Sequence, residues 1–307
     1  MAEKLKPFFK KMRQQKYLYL MSVPFLLLVL VFNYIPIWGW TMAFQKFRLG
    51  RSFFEQEWVG FANFIEIFAD PLFYKVLRNT LAMSIMGLIG GFTIPVIFAV
   101  SINEVKNGPF KKAIQTISYL PHFVSWVVVA GIFYKILSVD GGVVNDVLVK
   151  LGFINQPIQF MAKGKLFWWI VTIADLWKEM GWNSIIFIAS ISAISPELYD
   201  AAKVDGCGRF KQIWHITLPG IRSVITVLLI LSIGNLIRIG FEKQMLLANS
   251  LVYDYSEVLD LYALKYGLGL NRFSFGTAIG MVSSLVSVGL LLTANGLFKR
   301  YSDESVM

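Results

Sequence analysis

The chain is built from apolar runs too long for the helices of a soluble core. No charged residue occurs from Tyr17 to Gln45, and further uncharged runs cover residues 79–103, 113–134 and 273–298. A helix that crosses a bilayer needs about 20 mostly apolar residues, so each run is read as a span. Two more segments qualify if charges are tolerated inside them. The one over about 166–194 contains Asp175, Lys178 and Glu179, and the one over about 221–241 contains Arg222 near one end and Arg238 near the other. The pattern predicts an all-α membrane protein with six transmembrane helices, at about 17–40, 79–103, 113–137, 166–194, 221–241 and 273–298. Pro24, Pro36, Pro95 and Pro121 are expected to kink these helices, because neighbouring helices can re-satisfy the freed backbone groups. Gly87, Gly90 and Gly91 are expected to allow close helix contact. The aromatic-rich segment from Trp58 to Phe68 suits a membrane interface.

Composition agrees with lipid as the solvent. Of 307 residues, 56% are hydrophobic and only 16% charged, against about 45–50% and 25% in soluble domains; mean hydropathy is +0.60. Lone Cys207 excludes an internal disulfide framework. The net charge of +10 reads as loop lysine and arginine rather than as a nucleic-acid surface. Six basic residues, Lys4, Lys6, Lys10, Lys11, Arg13 and Lys16, precede the first span. That span is longer than a signal-peptide core and no small-residue cleavage site follows it, so it is expected to be retained. Short inner segments carry 15 Lys and Arg and longer outer segments 11, if the N-terminus is inside. This favours N-in, C-in. The organisation expected is a basic cytoplasmic N-terminus (1–16), one six-helix domain (17–298) and a cytoplasmic tail (299–307).

The loop over 195–219 is too patterned for a passive connector. Ser195 can cap a helix that has Pro196 in its first position and Glu197 in its first turn. Gly206 would end that helix in the left-handed conformation. Phe210, Ile213, Trp214 and Thr217 then make one stripe of a second helix, before Pro219-Gly220. Two short helices at a sharp angle would project into the cytoplasm.

Within this loop, Asp200-Ala201-Ala202-Lys203-Val204-Asp205-Gly206 is followed nine residues later by Ile216-Thr217-Leu218-Pro219. The segment resembles the EAA motif of ABC importer permeases, with Asp200 at the glutamate position. The flanking Pro196-Glu197-Leu198 and the segment Trp58-Val59-Gly60-Phe61-Ala62-Asn63-Phe64 resemble the sugar-importer branch, nearest the maltose-type and polysaccharide-type permeases. The resemblance extends across nearly all six spans. It implies the type I importer permease fold, in the bacterial cytoplasmic membrane. It implies that the loop is a coupling helix docked on an ATPase subunit, through Glu197, Asp200, Ala201, Ala202, Lys203, Asp205 and Gly206. It further implies a second permease subunit as a heterodimeric partner, two ATPase subunits and an extracytoplasmic solute-binding protein. The chain has no G-x-x-x-x-G-K-[ST] loop, so ATP and Mg are expected on the partner subunits and no cofactor on this one.

Charges within spans are functional candidates by default. Asp175, Lys178, Glu179 and Trp182 recur at helical spacing, with Asn183 beside them, and Asn235, Arg238 and Glu242 repeat such a spacing on the fifth span. Both faces are expected to line one cavity. Carboxylates, amides and cations suit a polyhydroxylated ligand, Trp182 could stack on a sugar ring, and Lys178 and Arg238 could face an acidic sugar. The competing reading is an internal network pairing Arg238 with Asp175 or Glu179. His122 and His215 have no partners at metal-ligand spacing, so metal binding is not expected. A permease for another small solute shares the loop motif. An ion-coupled secondary transporter predicts internal repeats, and a membrane enzyme an acid–base or metal cluster; neither accounts for the loop.

Overall fold

A computed structural model describes residues 14–106 and 108–301. Lys4, Lys6, Lys10, Lys11 and Arg13 of the basic N-terminus, and the tail beyond residue 301, lie outside them. The first helix, α1, runs over Lys16–Phe44, through a π-helical turn at Leu30–Tyr34 and a 3-10 stretch at Ile35–Phe44. The change of winding falls where Pro36 removes a backbone donor. Almost the whole of α1 is exposed, down to Ala43, which is buried. Its outer surface is apolar enough to face lipid.

A two-residue hairpin follows, β1 (Gln45–Lys46) antiparallel to β2 (Glu57–Trp58), and then α2 (Ala62–Ala69). The next helix, α3, spans Pro71–Glu104. It starts eight residues before the expected position. Asp70 caps it, accepting from the Leu72 amide at 2.9 Å, and Pro71 takes the first helical position. Lys75 and Arg78 therefore lie on the helix rather than in a loop.

The third expected span is broken, beside the Pro121 that was expected to kink it. α4 (Pro109–Tyr119) winds through a tight turn at Leu120–Phe123, and α5 (Trp126–Ile136) leaves at 104°. Pro121 ends the first helix and Ser125 caps the second, its Oγ accepting from the Val128 amide at 3.4 Å. After α6 (Val143–Lys150) comes α7 (Gly164–Ser192). α8 (Pro196–Val204) follows at 68° to it. Then come α9 (Arg209–Gly220) and, at 59° to it, α10 (Arg222–Gly234). Only 13 residues of the expected fifth span are helical. Three short helices, α11 (Glu242–Leu247), α12 (Tyr253–Ser256) and α13 (Leu259–Leu264), lead to α14 (Phe273–Tyr301). By length and composition, Lys16–Phe44, Pro71–Glu104 and Phe273–Lys299 can each cross a membrane, and the three bent pairs can do so together.

The core lies in three apolar clusters. One joins α3, α5, the first half of α7, α11 and α13 around Met83, Phe133, Phe167, Leu247 and Leu261. A second joins α3, α13 and α14 around Phe73, Tyr262 and Phe275. The third lies towards the α8 end, around Ala99, Phe187, Ile191 and Ile221. Between them the packing leaves an open space lined by both apolar and polar side chains.

Candidate functional site

That space is a cavity of about 380 Å³ walled by α3, α7, α10 and the segment up to Gln244. α3 makes room for it by presenting Ser84, Gly87, Gly91 and Pro95 on one face. Gly87 thus faces the cavity, and a Cβ there would meet nothing within 4 Å. Of the glycines expected to carry helix contact, Gly90 does so, its would-be Cβ lying 2.8 Å from Leu176 of α7. From α7 the wall receives Asp175, Glu179 and Asn183, and from the α10 side Ser232 and Asn235.

Four of the eight residues expected at a ligand, Asp175, Glu179, Asn183 and Asn235, therefore share this wall, and four do not. The helical face expected for Asn235, Arg238 and Glu242 does not form, because α10 ends at Gly234 and the chain turns at Asn235. Arg238 Nη2 donates to Ser284 Oγ of α14 at 2.5 Å, so it pairs with neither Asp175 nor Glu179. Glu242 is exposed at the start of α11. Lys178 is buried and donates to the His122 carbonyl. Trp182 stacks on the His122 ring, centroids 4.3 Å apart and planes 2° from parallel.

The charges form two groups. His122 Nδ1 lies 2.7 Å from Glu179 Oε2, and Lys178 Nζ lies 3.3 Å from Glu179 Oε1. This group holds the break between α4 and α5 against α7. The second group is Asp175 Oδ1 with Lys243 Nζ at 2.9 Å, which ties α7 to α11. Both lysines lie about 6 Å from the ring of Trp126, at 6.0 Å for Lys178 and 5.9 Å for Lys243. Sequence reasoning missed Lys243, Gln244 and the His122 contact. Each depends on a chain reversal that hydropathy does not register. The Pro121 to Ser125 stretch carried the only local signal, a helix stop followed by a helix cap. Among the described residues, no group of three His, Cys, Asp or Glu side chains gathers as a metal site.

The reversal after α10 is held by Gly240, at φ +76°, whose amide donates to Asp260 Oδ2 at 2.7 Å. Burial pushes the Asp260 carboxyl above its ordinary range, against the pull of that amide and of Arg238.

The second region is the α8–α9 elbow. Ser195 Oγ accepts from the Glu197 amide at 3.3 Å. The helix ends in a Schellman turn, with the Cys207 amide on Ala202 O at 2.8 Å, the Gly206 amide on Lys203 O at 3.0 Å and Gly206 at φ +72°. Asp200 Oδ1 and Lys203 Nζ meet at 2.9 Å on the same helix, both well exposed. Tyr199 Oη lies 3.0 Å from Thr217 Oγ1, which braces α8 against α9. The expected stripe is split. Thr217 is buried, whereas Phe210 and Trp214 are 89% and 69% exposed, large apolar groups that nothing among the described residues covers.

A bundle of long apolar helices around a cavity that carries carboxylate, amide and lysine side chains is the framework of a membrane transport subunit. Residues 91–300 match the family described as binding-protein-dependent transport system inner membrane component, and the chain belongs to that family. It is a multi-pass permease subunit of an ABC importer of the bacterial plasma membrane, not an ATPase. It is 41% identical to the polygalacturonan/rhamnogalacturonan transport system permease protein YteP of Bacillus subtilis (strain 168), over 99% of this chain and 94% of the relative. It also resembles a chain in the crystal structure of a bacterial ABC transporter involved in the import of the acidic polysaccharide alginate. There the TM-score is 0.86 with 36% identity, covering 96% of this chain and 99% of that one. A chain of the bacterial alginate ABC transporter in complex with alginate pentasaccharide-bound periplasmic protein gives a TM-score of 0.88 with 35% identity, covering 97% and 99%.

Proposed function

We propose that this subunit moves an oligosaccharide derived from an acidic polysaccharide through the cavity by alternating access. The observation that carries the reading is an open cavity between apolar clusters in a permease, whose largely apolar wall carries Asp175, Glu179, Asn183, Asn235 and Lys243. Support for the cargo class comes from relatives named for polygalacturonan, rhamnogalacturonan and alginate. In this reading the three long helices, the bent pair α4–α5, α7 and α10 are the six spans, with both termini in the cytoplasm. The α8–α9 elbow then faces the cytoplasm and docks in a groove on an ATPase. Glu197, Asp200, Lys203 and Asp205 orient the contact, and Ala201, Ala202 and Gly206 permit close approach. ATP and Mg reside on two such ATPase subunits. A second, non-identical permease subunit completes the translocation path, and an extracytoplasmic binding protein delivers the cargo.

The direct experiment reconstitutes the assembled importer and measures uptake with a panel of neutral and acidic oligosaccharides. Selective uptake of uronate oligomers is expected; uptake of none would end the cargo reading. Within that assay, Asn183→Ala is expected to raise KM by about fivefold, the worth of one hydrogen bond. It removes an amide from the cavity wall and breaks no ion pair. A wild-type KM would take Asn183 out of the cargo path. Cysteine labelling of an Asp200→Cys variant in sealed, right-side-out vesicles checks the orientation, and protection from an impermeant reagent is expected.

A further inference from the structure

Gln244 is wholly buried in the cavity wall, and neither its Nε2 nor its Oε1 has a hydrogen-bond partner. Native proteins almost never leave a buried amide bare at both ends. A primary amide offers two donors and one acceptor fork, which is what adjacent ring hydroxyls require. Its neighbour Lys243 is the one cation on the wall among the described residues. That cation already carries a carboxylate, Asp175, at 2.9 Å, with Lys243 17% and Asp175 30% exposed. The other wall carboxylate, Glu179, is engaged by His122 and Lys178. Only the Asp175–Lys243 pair is therefore free to exchange without stripping a second group.

We propose that Lys243 and Gln244, on the short helix α11, determine specificity for a uronic-acid oligosaccharide. Gln244 pairs with ring hydroxyls, and Lys243 leaves Asp175 for a carboxylate of the cargo. The cargo carboxylate takes the geometry that Asp175 holds, so Lys243 stays paired throughout. Asp175, the more exposed member, turns to the open, watered side of the cavity. Because this pair joins α7 to α11, the exchange also loosens α11 from α7 when an acidic cargo enters. The inference rests on the cavity being the cargo path.

The test uses the complete importer with its ATPases and binding protein. The probes are trigalacturonate and its fully methyl-esterified form. The double variant D175N/K243Q removes both charges and leaves no unpaired ion. It is expected to raise KM for trigalacturonate by about tenfold and for the ester by less than about twofold. Gln244→Met keeps the shape and removes the amide. It is expected to raise KM about tenfold for both probes, with the thermal midpoint of the complex unchanged or higher, because a buried unpaired amide is replaced by an apolar group. Unchanged KM values for both probes in the double variant would overturn the role of Lys243. A lower midpoint with unchanged KM in Gln244→Met would make Gln244 structural and overturn its role. If the wild-type importer took up neither probe nor any other oligosaccharide, the cargo reading itself would fall, a result distinct from either of these.

Discussion

Replacing Gly206 with glutamate is expected to abolish uptake, by about two orders of magnitude or more, while the chain still inserts and folds. The physical case has two parts. Gly206 sits at φ +72° in the Schellman turn that ends α8, where any L side chain costs about 1–2 kcal/mol. That is too little to unfold a bundle held by three apolar clusters. A Cβ at Gly206 would meet nothing within 4 Å, so this chain can hold the added side chain. The loss must then come from a partner. A glutamate beside Asp205 adds bulk and negative charge at the tip of the elbow, where the proposed ATPase groove closes on small residues. A loss of about 3 kcal/mol in docking is roughly a hundredfold in occupancy. Gly206→Asn is the control, since asparagine tolerates the left-handed conformation; a milder defect is expected there. The measurements are uptake, co-purification of the ATPase subunits and thermal midpoint, on the same preparations. Wild-type uptake by the glutamate variant would remove the coupling role from this loop.

A single methyl group at Gly181 is expected to destabilise the bundle by about 2–3 kcal/mol. An added Cβ would sit 2.0 Å from Ser118 O and 2.4 Å from its carbonyl carbon. Those are backbone atoms of α4, so no side chain can swing aside and the helices must part. Gly181 lies one turn from Lys178, whose ammonium reaches the carbonyl of His122 at the end of α4. Separating α4 from α7 therefore strains the group that holds the helix break. The expected readout for Gly181→Ala is a fall of several degrees in thermal midpoint and lower yield of assembled complex. Gly131→Ala serves as the comparison, because a Cβ there meets nothing within 4 Å. Equal midpoints for the two variants would show that α4 and α7 part without cost.

The contrast between these two glycines shows what could be read before folding. Gly206 stood out in the sequence because it closes a capped helix that begins at Ser195-Pro196 and completes a spaced motif. Its surroundings are local, so its conformation followed from a few neighbouring residues. Gly181 carried no such mark. Its importance arises from a carbonyl 63 positions away, brought close by the packing of α4 on α7. Gly87 shows the reverse error. A Gly-rich helix suggested contact, but this glycine opens a wall, because the neighbouring helices diverge around the cavity.

The charges followed the same division. Asp175 and Glu179 were recognisable as intramembrane carboxylates on one helical face, since α7 is long and regular. Arg238 was assigned to that cavity on the assumption that its helix continued. Gly234 and Gly240 bound a reversal that turns Arg238 to Ser284 and brings Lys243 to Asp175. His122 was set aside as a metal ligand on spacing alone, and the break at Pro121 places its ring on Trp182 and beside Glu179.

Long apolar runs and capping residues marked this chain as a helical membrane protein with a two-helix elbow, and the resemblance of the spaced loop motif pointed to a permease. These features act over a few turns of helix, so they are written in consecutive residues. Which charges meet, where α4 bends away from α5, and which residues wall the cavity came from the packing of helices distant in sequence. Burying a charge is tolerated only beside its partner, and that partner is chosen by the folded bundle rather than by any neighbour along the chain.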